Sequence, residues 1–221
     1  MILITGASSG LGAALASLYS QEGHPLTLTG RNKQRLNQVG EDLENSANLC
    51  VADLCSADSI STLFDSLAEP PKTVIHCAGS GYFGNIETQE PSAIKQLLDN
   101  NVTSSILLLR ELITRYRDQP VNVVVVMSTA AQAGKAGEST YCAAKWAVKG
   151  LVESLRLELK GSPMKLIAVY PGGMNTDFWS TSGKALNTDN FMTAHEAATM
   201  LKQALTSAKH GYISDITINR G

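Results

Sequence analysis

The sequence is poor in aromatic residues, 5% of 221, and poor in charge, with Asp, Glu, Lys and Arg making up only 17%. Neither sign dominates: 18 Lys and Arg face 20 Asp and Glu, for a formal net charge of −2. No basic cluster is interleaved with aromatics, so neither nucleic acid nor an anionic membrane is an expected partner. A long hydrophobic run is also missing. The opening "MILI" is too short for a signal peptide and leads straight into glycines, and "VVVVM" at Val123–Met127 has the length of a buried strand. Cysteine is sparse. Cys50, Cys55, Cys77 and Cys142 show neither CxxC nor Cys/His metal spacing, which argues against a disulfide scaffold or a metal site and suits reduced thiols in a cytoplasmic protein. Cys142 has no histidine near it in sequence to activate it and is read as helix filling.

What remains is an apolar fraction of 43%, enough for a sizeable core. Short β-rich runs alternate with helical ones almost from end to end. "MILIT", "PLTLTG", "NLCVAD", "KTVIHCAG", "VNVVVVMS", "MKLIAVYPGG" and "GYISDITI" read as seven strands. Between them, helices are predicted over 11–22, 32–45, 59–68, 92–117, 140–160 and 195–208. Repeated βα units without a linker or composition break predict one α/β domain over 1–221, a doubly wound, Rossmann-type fold with a parallel seven-stranded sheet and helices on both faces. In such sheets ligands bind beyond the carboxyl ends of the strands, where strand order reverses. Residues just after each strand therefore carry the chemistry.

Directly after the first strand comes "TGASSGLGAAL", with Gly6, Gly10 and Gly12 in a GxxxGxG pattern. A strand, a tight glycine turn and a helix N-terminus form a cradle for a pyrophosphate, here built by Gly6, Ser8, Ser9, Gly10, Leu11 and Gly12. No GK[ST] follows, so a P-loop nucleotidase is disfavoured. The second strand ends in Gly30 and Arg31, with no acid to bond an adenosine ribose hydroxyl. An arginine there suits a 2′-phosphate, which favours NADP over NAD. Asp53, followed by Leu54, stands after the third strand, where it can bond an adenine or cap the next turn. Ala78 and Gly79 follow the fourth strand and let backbone approach a cofactor.

Ser128 ends the fifth strand, thirteen residues before Tyr141, and Lys145 lies one helical turn beyond the tyrosine. A hydroxyl, a phenol and an ammonium beside a nicotinamide suit hydride transfer to a carbonyl carbon. A cation about 4 Å from the phenol, at an effective dielectric of about 20, contributes roughly 4 kcal/mol, or about three pKa units. That predicts a phenol tuned to about 7, able to give and take a proton near neutrality. His24, His76, His195 and His210 have no carboxylate partner at meaningful spacing and are read as non-catalytic.

"TGASSGLG", Ala78–Gly79, Asn101 in "NNVTSS", Ser128, "YCAAK" and "PGGMNT" together resemble the short-chain dehydrogenase/reductase family, in order and spacing, over essentially the whole chain. The resemblance implies an Asn101–Ser128–Tyr141–Lys145 tetrad in an NADP-preferring, 3-oxoacyl-reductase-like enzyme acting on a small carbonyl or alcohol. Tyr141 would be the general acid/base, Ser128 would polarise the substrate oxygen, and Lys145 would bind the nicotinamide ribose and lower the phenol's pKa. Asn101, in an otherwise apolar helical run, would hold a water linking the lysine to solvent. Pro171, Gly172, Met174 and Thr176 would pass along the nicotinamide. The family often has two asparagines where this chain has His76 and Cys77. The segment after Thr176 is short, with Phe178, Trp179, Phe191 and Met192 as apolar walls, which predicts an open, permissive pocket. Apolar residues around much of the 92–117 and 140–160 helices predict a homodimer or homotetramer. The rival readings are a catalytically idle NADP-binding regulator or scaffold, and a methyltransferase, which gives Ser128, Tyr141 and Lys145 nothing to do.

Overall fold

The computed structural model describes residues 1–183, 186–206 and 211–220. The alternating pattern becomes strands β1 (Ile2–Thr5), β2 (Leu26–Gly30), β3 (Asn48–Val51), β4 (Thr73–His76), β5 (Asn122–Val126) and β6 (Lys165–Pro171), a two-residue parallel pair β7 (Met174–Asn175) and β8 (Met192–Thr193), and β9 (Asp215–Ile218). Seven of these form one parallel sheet in the order β3-β2-β1-β4-β5-β6-β9. The helices are α1 (Gly10–Gln21), α2 (Lys33–Glu41), α3 (Ala57–Asp65), α4 (Pro91–Leu98), α5 (Ser104–Tyr116), α6 (Ser139–Glu158), α7 (Phe178–Thr181) and α8 (Ala194–Ala204). The predicted end of the last helix, at 208, lies outside the described residues.

Both faces of the sheet are covered, which is why the strands read as continuous apolar runs. Side chains alternate between the two layers. Leu3, Val123 and Val125 pack with Leu63 of α3, Leu108 of α5 and Val148 of α6, while Ile2, Ile4 and Val124 pack with Leu15 of α1, Leu36 of α2 and Leu201 of α8. The crossovers run out from β1 in both directions, so strand order reverses between β1 and β4. A crevice opens there, between the glycine turn after β1 and Ala78–Gly79 after β4.

The predicted single helix over 92–117 is two helices joined by a π-helical segment, Asp99–Thr103. The Ser104 N–H bonds the Asp99 carbonyl, one residue further back than an α-helix allows. That register shift disturbs the neighbouring carbonyls, and two serines answer it. Ser104 Oγ donates to the Asn100 carbonyl at 2.7 Å and Ser105 Oγ to the Asn101 carbonyl at 2.6 Å. The periodicity of apolar residues does not see this shift, because both registers keep Leu97 and Leu108 in the core.

His76 is almost wholly buried in β4, with Nδ1 at 2.8 Å from Thr5 Oγ1 and Nε2 at 3.0 Å from Ser105 Oγ. Burial, with Lys145 adding, pushes its pKa down to about 3. The folded chain thus keeps this ring neutral while the unfolded chain protonates it below about 6.5, so its contribution to stability is present above pH 6.5 and is lost as pH falls towards 3. Between pH 7.5 and 5.5 the native state is expected to lose about 1 kcal/mol from this one group. Urea midpoints at the two pH values check it; the loss should be absent in His76→Gln, and an equal loss there would assign the effect to other groups.

Candidate functional site

The site begins with backbone. Gly6 and Gly10 take positive φ values, +66° and +53°, which let the turn reverse before α1 begins at Gly10. A side chain on Gly12 would bring Cβ within 2.4 Å of the Gly6 carbonyl oxygen, so only glycine closes this turn. Ser9 is the N-cap of α1 yet its hydroxyl makes no capping bond, leaving the first amides of the helix facing the crevice. Across the cleft, Thr176 Cγ2 lies 3.7 Å from where a Gly10 Cβ would be.

This turn is one wall of a cleft of about 580 Å³. Gly6, Ser8, Ser9, Gly10, Leu11, Gly12, Arg31, Asp53, Leu54, Ala78, Gly79, Ser128, Tyr141, Lys145, Pro171, Gly172, Met174 and Thr176 all line it. Of the predicted catalytic and cofactor residues, Asn101 alone does not, and of the predicted apolar walls Phe178 and Trp179 line it but Phe191 and Met192 do not. Asn101 sits behind Gly79, 1% exposed, with Nδ2 donating to the Ser80 and Leu97 carbonyls, both at 2.9 Å. Its Oδ1 is buried without a hydrogen-bond partner. A Cβ on Gly79 would lie 2.8 Å from that oxygen and 3.2 Å from Lys145 Nζ, so both atoms flank the one gap that glycine leaves.

At the adenosine end the residue left ambiguous by sequence uses its carboxylate locally: Asp53 Oδ1 accepts from the Cys55 N–H at 3.0 Å. Arg31 Nη1 donates to Asn100 Oδ1 at 2.7 Å. Arg35, which sequence reasoning missed, lines the same end, positioned by an α2 cap in which Asn32 accepts from the Arg35 N–H. The basic run "RNKQR" was the available signal.

At the reacting end, Ser128 closes β5 and starts a short 3₁₀ turn, with Oγ accepting from the Ala130 N–H at 3.1 Å. The same hydroxyl favours the ionised form of the nearby Tyr141 phenol. Tyr141 and Lys145 project from the first turns of α6, and Lys145 Nζ lies 5.6 Å from the centre of the tyrosine ring. Both are 6% exposed. Burial pushes the ammonium of Lys145 down to about 8.

Here the structure departs from one expectation. Burial pushes the Tyr141 phenol up from its ordinary value; the Ser128 hydroxyl opposes this, while Glu138 and Cys142 add to it. Lys145 does not offset this burial, so the shift runs opposite to the predicted lowering. Aromatic side chains cover Tyr141 on its substrate side. Phe83 meets Tyr141 edge-on at 5.2 Å, Phe178 lies 5.8 Å from the Tyr141 ring, and Trp179 stacks on Phe83 at 5.7 Å and meets Phe191 at 5.6 Å. Two glycines provide the seats. A Cβ on Gly81 would fall 2.6 Å from Phe178 and one on Gly173 2.7 Å from Phe191. The short segment after Thr176 encloses Tyr141 because the strand-end loop carrying Phe83, which the sequence did not flag, supplies the other half.

Cys142 Sγ faces the Ala133 carbonyl, and no group of three or more metal-ligating side chains occurs among the described residues. Among them, too, no helix is long and apolar enough to cross a membrane. His24 packs edge-on to Tyr19, and His210 lies outside the described residues.

A doubly wound sheet with a glycine turn at its switch point, and Ser128, Tyr141 and Lys145 at its carboxyl edge, has the frame of an oxidoreductase. The chain belongs to the short chain dehydrogenase family, which matches residues 1–187 and binds a nicotinamide cofactor. It resembles the crystal structure of a short-chain dehydrogenase/reductase from Vibrio parahaemolyticus, with 56% identity, a TM-score of 0.93 and full coverage of both chains. A short-chain dehydrogenase from Sphingobium yanoikuyae in complex with NADPH is 26% identical over 97% of this chain and 86% of its own, at a TM-score of 0.84. The NADPH-dependent pterin aldehyde reductase of Arabidopsis thaliana is 31% identical, covering 80% of this chain and 75% of that protein. The mouse 3-ketodihydrosphingosine reductase is 29% identical over 79% of this chain, which spans only 56% of that protein's length.

Proposed function

We propose that the chain reduces the carbonyl of a small apolar ketone or aldehyde with NADPH, using Tyr141 as the proton donor. The observation that carries this reading is the convergence of Ser128, Tyr141 and Lys145 at the carboxyl edge of β5, facing the glycine turn across one cleft. The residues present fit a nicotinamide dinucleotide. The turn has no room for a Cβ at Gly12, Ser9 leaves the α1 amides unblocked, and Arg31 and Arg35 offer two guanidinium groups where a 2′-phosphate would need them. When bound, the reduced nicotinamide supplies hydride to the carbonyl carbon.

The protein's own groups then deal with the oxygen. Ser128 donates to it and holds it beside Tyr141. The phenol, whose burial favours its neutral form, gives up its proton as negative charge develops. Lys145 stabilises the phenolate left behind and binds the nicotinamide ribose, and Asn101 turns its unpartnered Oδ1 towards a water that can resupply the proton. Phe83, Phe178 and Trp179 exclude bulk water and favour an apolar flank on the substrate. Exposed apolar side chains on α5 and α6, among them Ile106, Trp146 and Leu157, support assembly as a homodimer or homotetramer.

Loss of NADPH absorbance across ketones, aldehydes, quinones and 3-oxoacyl thioesters tests the assignment. Turnover is expected with NADPH and much less with NADH. Binding without turnover on the whole panel would favour an idle cofactor-binding protein instead, and a strong NADH preference would overturn the phosphate assignment.

A further inference from the structure

The buried ring of His76 has no part in the chemistry above, yet it is tied to it through two hydrogen bonds. We infer that His76 is a positioning residue: through Ser105 it clamps the carbonyl of Asn101 and so fixes the π-helical turn that aims the Asn101 side chain at Lys145. The inference rests on the tetrad reading for its catalytic part and on geometry alone for the clamp.

The direction of each bond follows from the groups present. The Asn101 carbonyl can only accept, so the Ser105 hydroxyl gives it its one proton at 2.6 Å. Ser105 Oγ must then accept from His76, which places the ring proton on Nε2, 3.0 Å away. Nδ1 is left as an acceptor and takes the Thr5 hydroxyl proton at 2.8 Å. A single neutral tautomer satisfies all three partners, and the ring, Ser105 and Asn101 are each at most 2% exposed. The chain Thr5–His76–Ser105–Asn101 thus runs from β1 through β4 into the π turn without a break.

The turn needs such a hold. A π-helical segment is a strained alternative to the α register, and sliding back by one residue would rotate Asn101 away from Gly79. Its side chain is held by the Ser80 and Leu97 carbonyls, but those contacts do not fix the hydrogen-bond register of the backbone. The Ser105 hydroxyl adds a hold on the Asn101 carbonyl itself, and His76 anchors that hydroxyl from β4. An asparagine at position 76, common in the family, would present an amide at the depth of Nδ1 and fall short of Ser105. The clamp is therefore a property of the histidine.

Two side chains separate the roles of the ring. His76→Gln puts an amide N–H where Nε2 stands and is expected to keep the clamp; His76→Asn keeps only the Thr5 acceptor and is expected to lose it. Ser105→Ala removes the clamp while leaving the β4 core intact, which guards against a folding failure at position 76. Hydrogen exchange of the ligand-free protein, read over residues 99–105, is expected to speed up about tenfold or more in Ser105→Ala and His76→Asn, with β5 unchanged and His76→Gln near native. Unchanged exchange in Ser105→Ala overturns the clamp whether or not any carbonyl is turned over. Where turnover is found, kcat should fall about tenfold in the same two variants at unchanged KM for NADPH, and Ser105→Ala should cost nothing further in an Asn101→Ala background. Independent, multiplying losses there would show that Ser105 acts on stability and not through Asn101.

Discussion

Tyr141→Phe is expected to lower kcat by about a thousandfold while NADPH affinity stays within about threefold. The phenyl ring keeps the edge-on packing with Phe83 and the contact with Phe178, so the aromatic cover and the fold are preserved. Only the hydroxyl goes. General acid catalysis contributes about 10² to 10⁴ in rate. Lys145 is an acid near pH 8, but its Nζ lies over the tyrosine ring and not beyond it. Stopped-flow fluorescence for cofactor binding and steady-state kcat on whichever carbonyl turns over give the two numbers. A loss below about tenfold would remove Tyr141 from the role of proton donor; a comparable loss of NADPH affinity would point to a collapsed cleft.

The covered phenol also bears on what a sequence can and cannot reveal. Spacing places Tyr141 and Lys145 on one helical face, because the helix repeat is fixed by backbone geometry. Strands such as "NVVVV" are legible for a similar reason: a strand covered on both faces must be apolar throughout. The pKa of Tyr141 belongs to a different level. It depends on burial under Phe83 and Phe178, which lie far apart in sequence, and the distance-based attraction of Lys145 cannot be weighed until desolvation is known. The π turn at Asp99–Thr103 is hidden likewise, since it changes which carbonyl each amide meets without changing which residues are apolar. His76 illustrates the same limit from the other side. With no carboxylate at meaningful spacing it looked idle, but its partners Thr5 and Ser105 lie 71 and 29 residues away along the chain.

The second large effect belongs to the adenosine end. Replacing Arg31 and Arg35 together with alanine is expected to raise KM for NADPH about a hundredfold and to leave KM for NADH nearly unchanged. Each charge-assisted bond to a phosphate contributes about 1.5 to 3 kcal/mol, and every 1.4 kcal/mol is tenfold. Two guanidinium groups at an open rim therefore supply about 10² after solvent screening is allowed for. Arg31 needs its own control. It also donates to Asn100, which in turn donates to Ser80 Oγ, so its loss frees a side chain beside the π turn. Asn100→Ala breaks that link without touching either cation, and should alter both cofactors alike. Raising ionic strength should weaken NADPH binding more steeply in the native protein than in the double variant, since a bare 2′-hydroxyl has no charge to screen. Equal losses for NADPH and NADH in the double variant would mean that the arginines hold the wall of the cleft and read no phosphate.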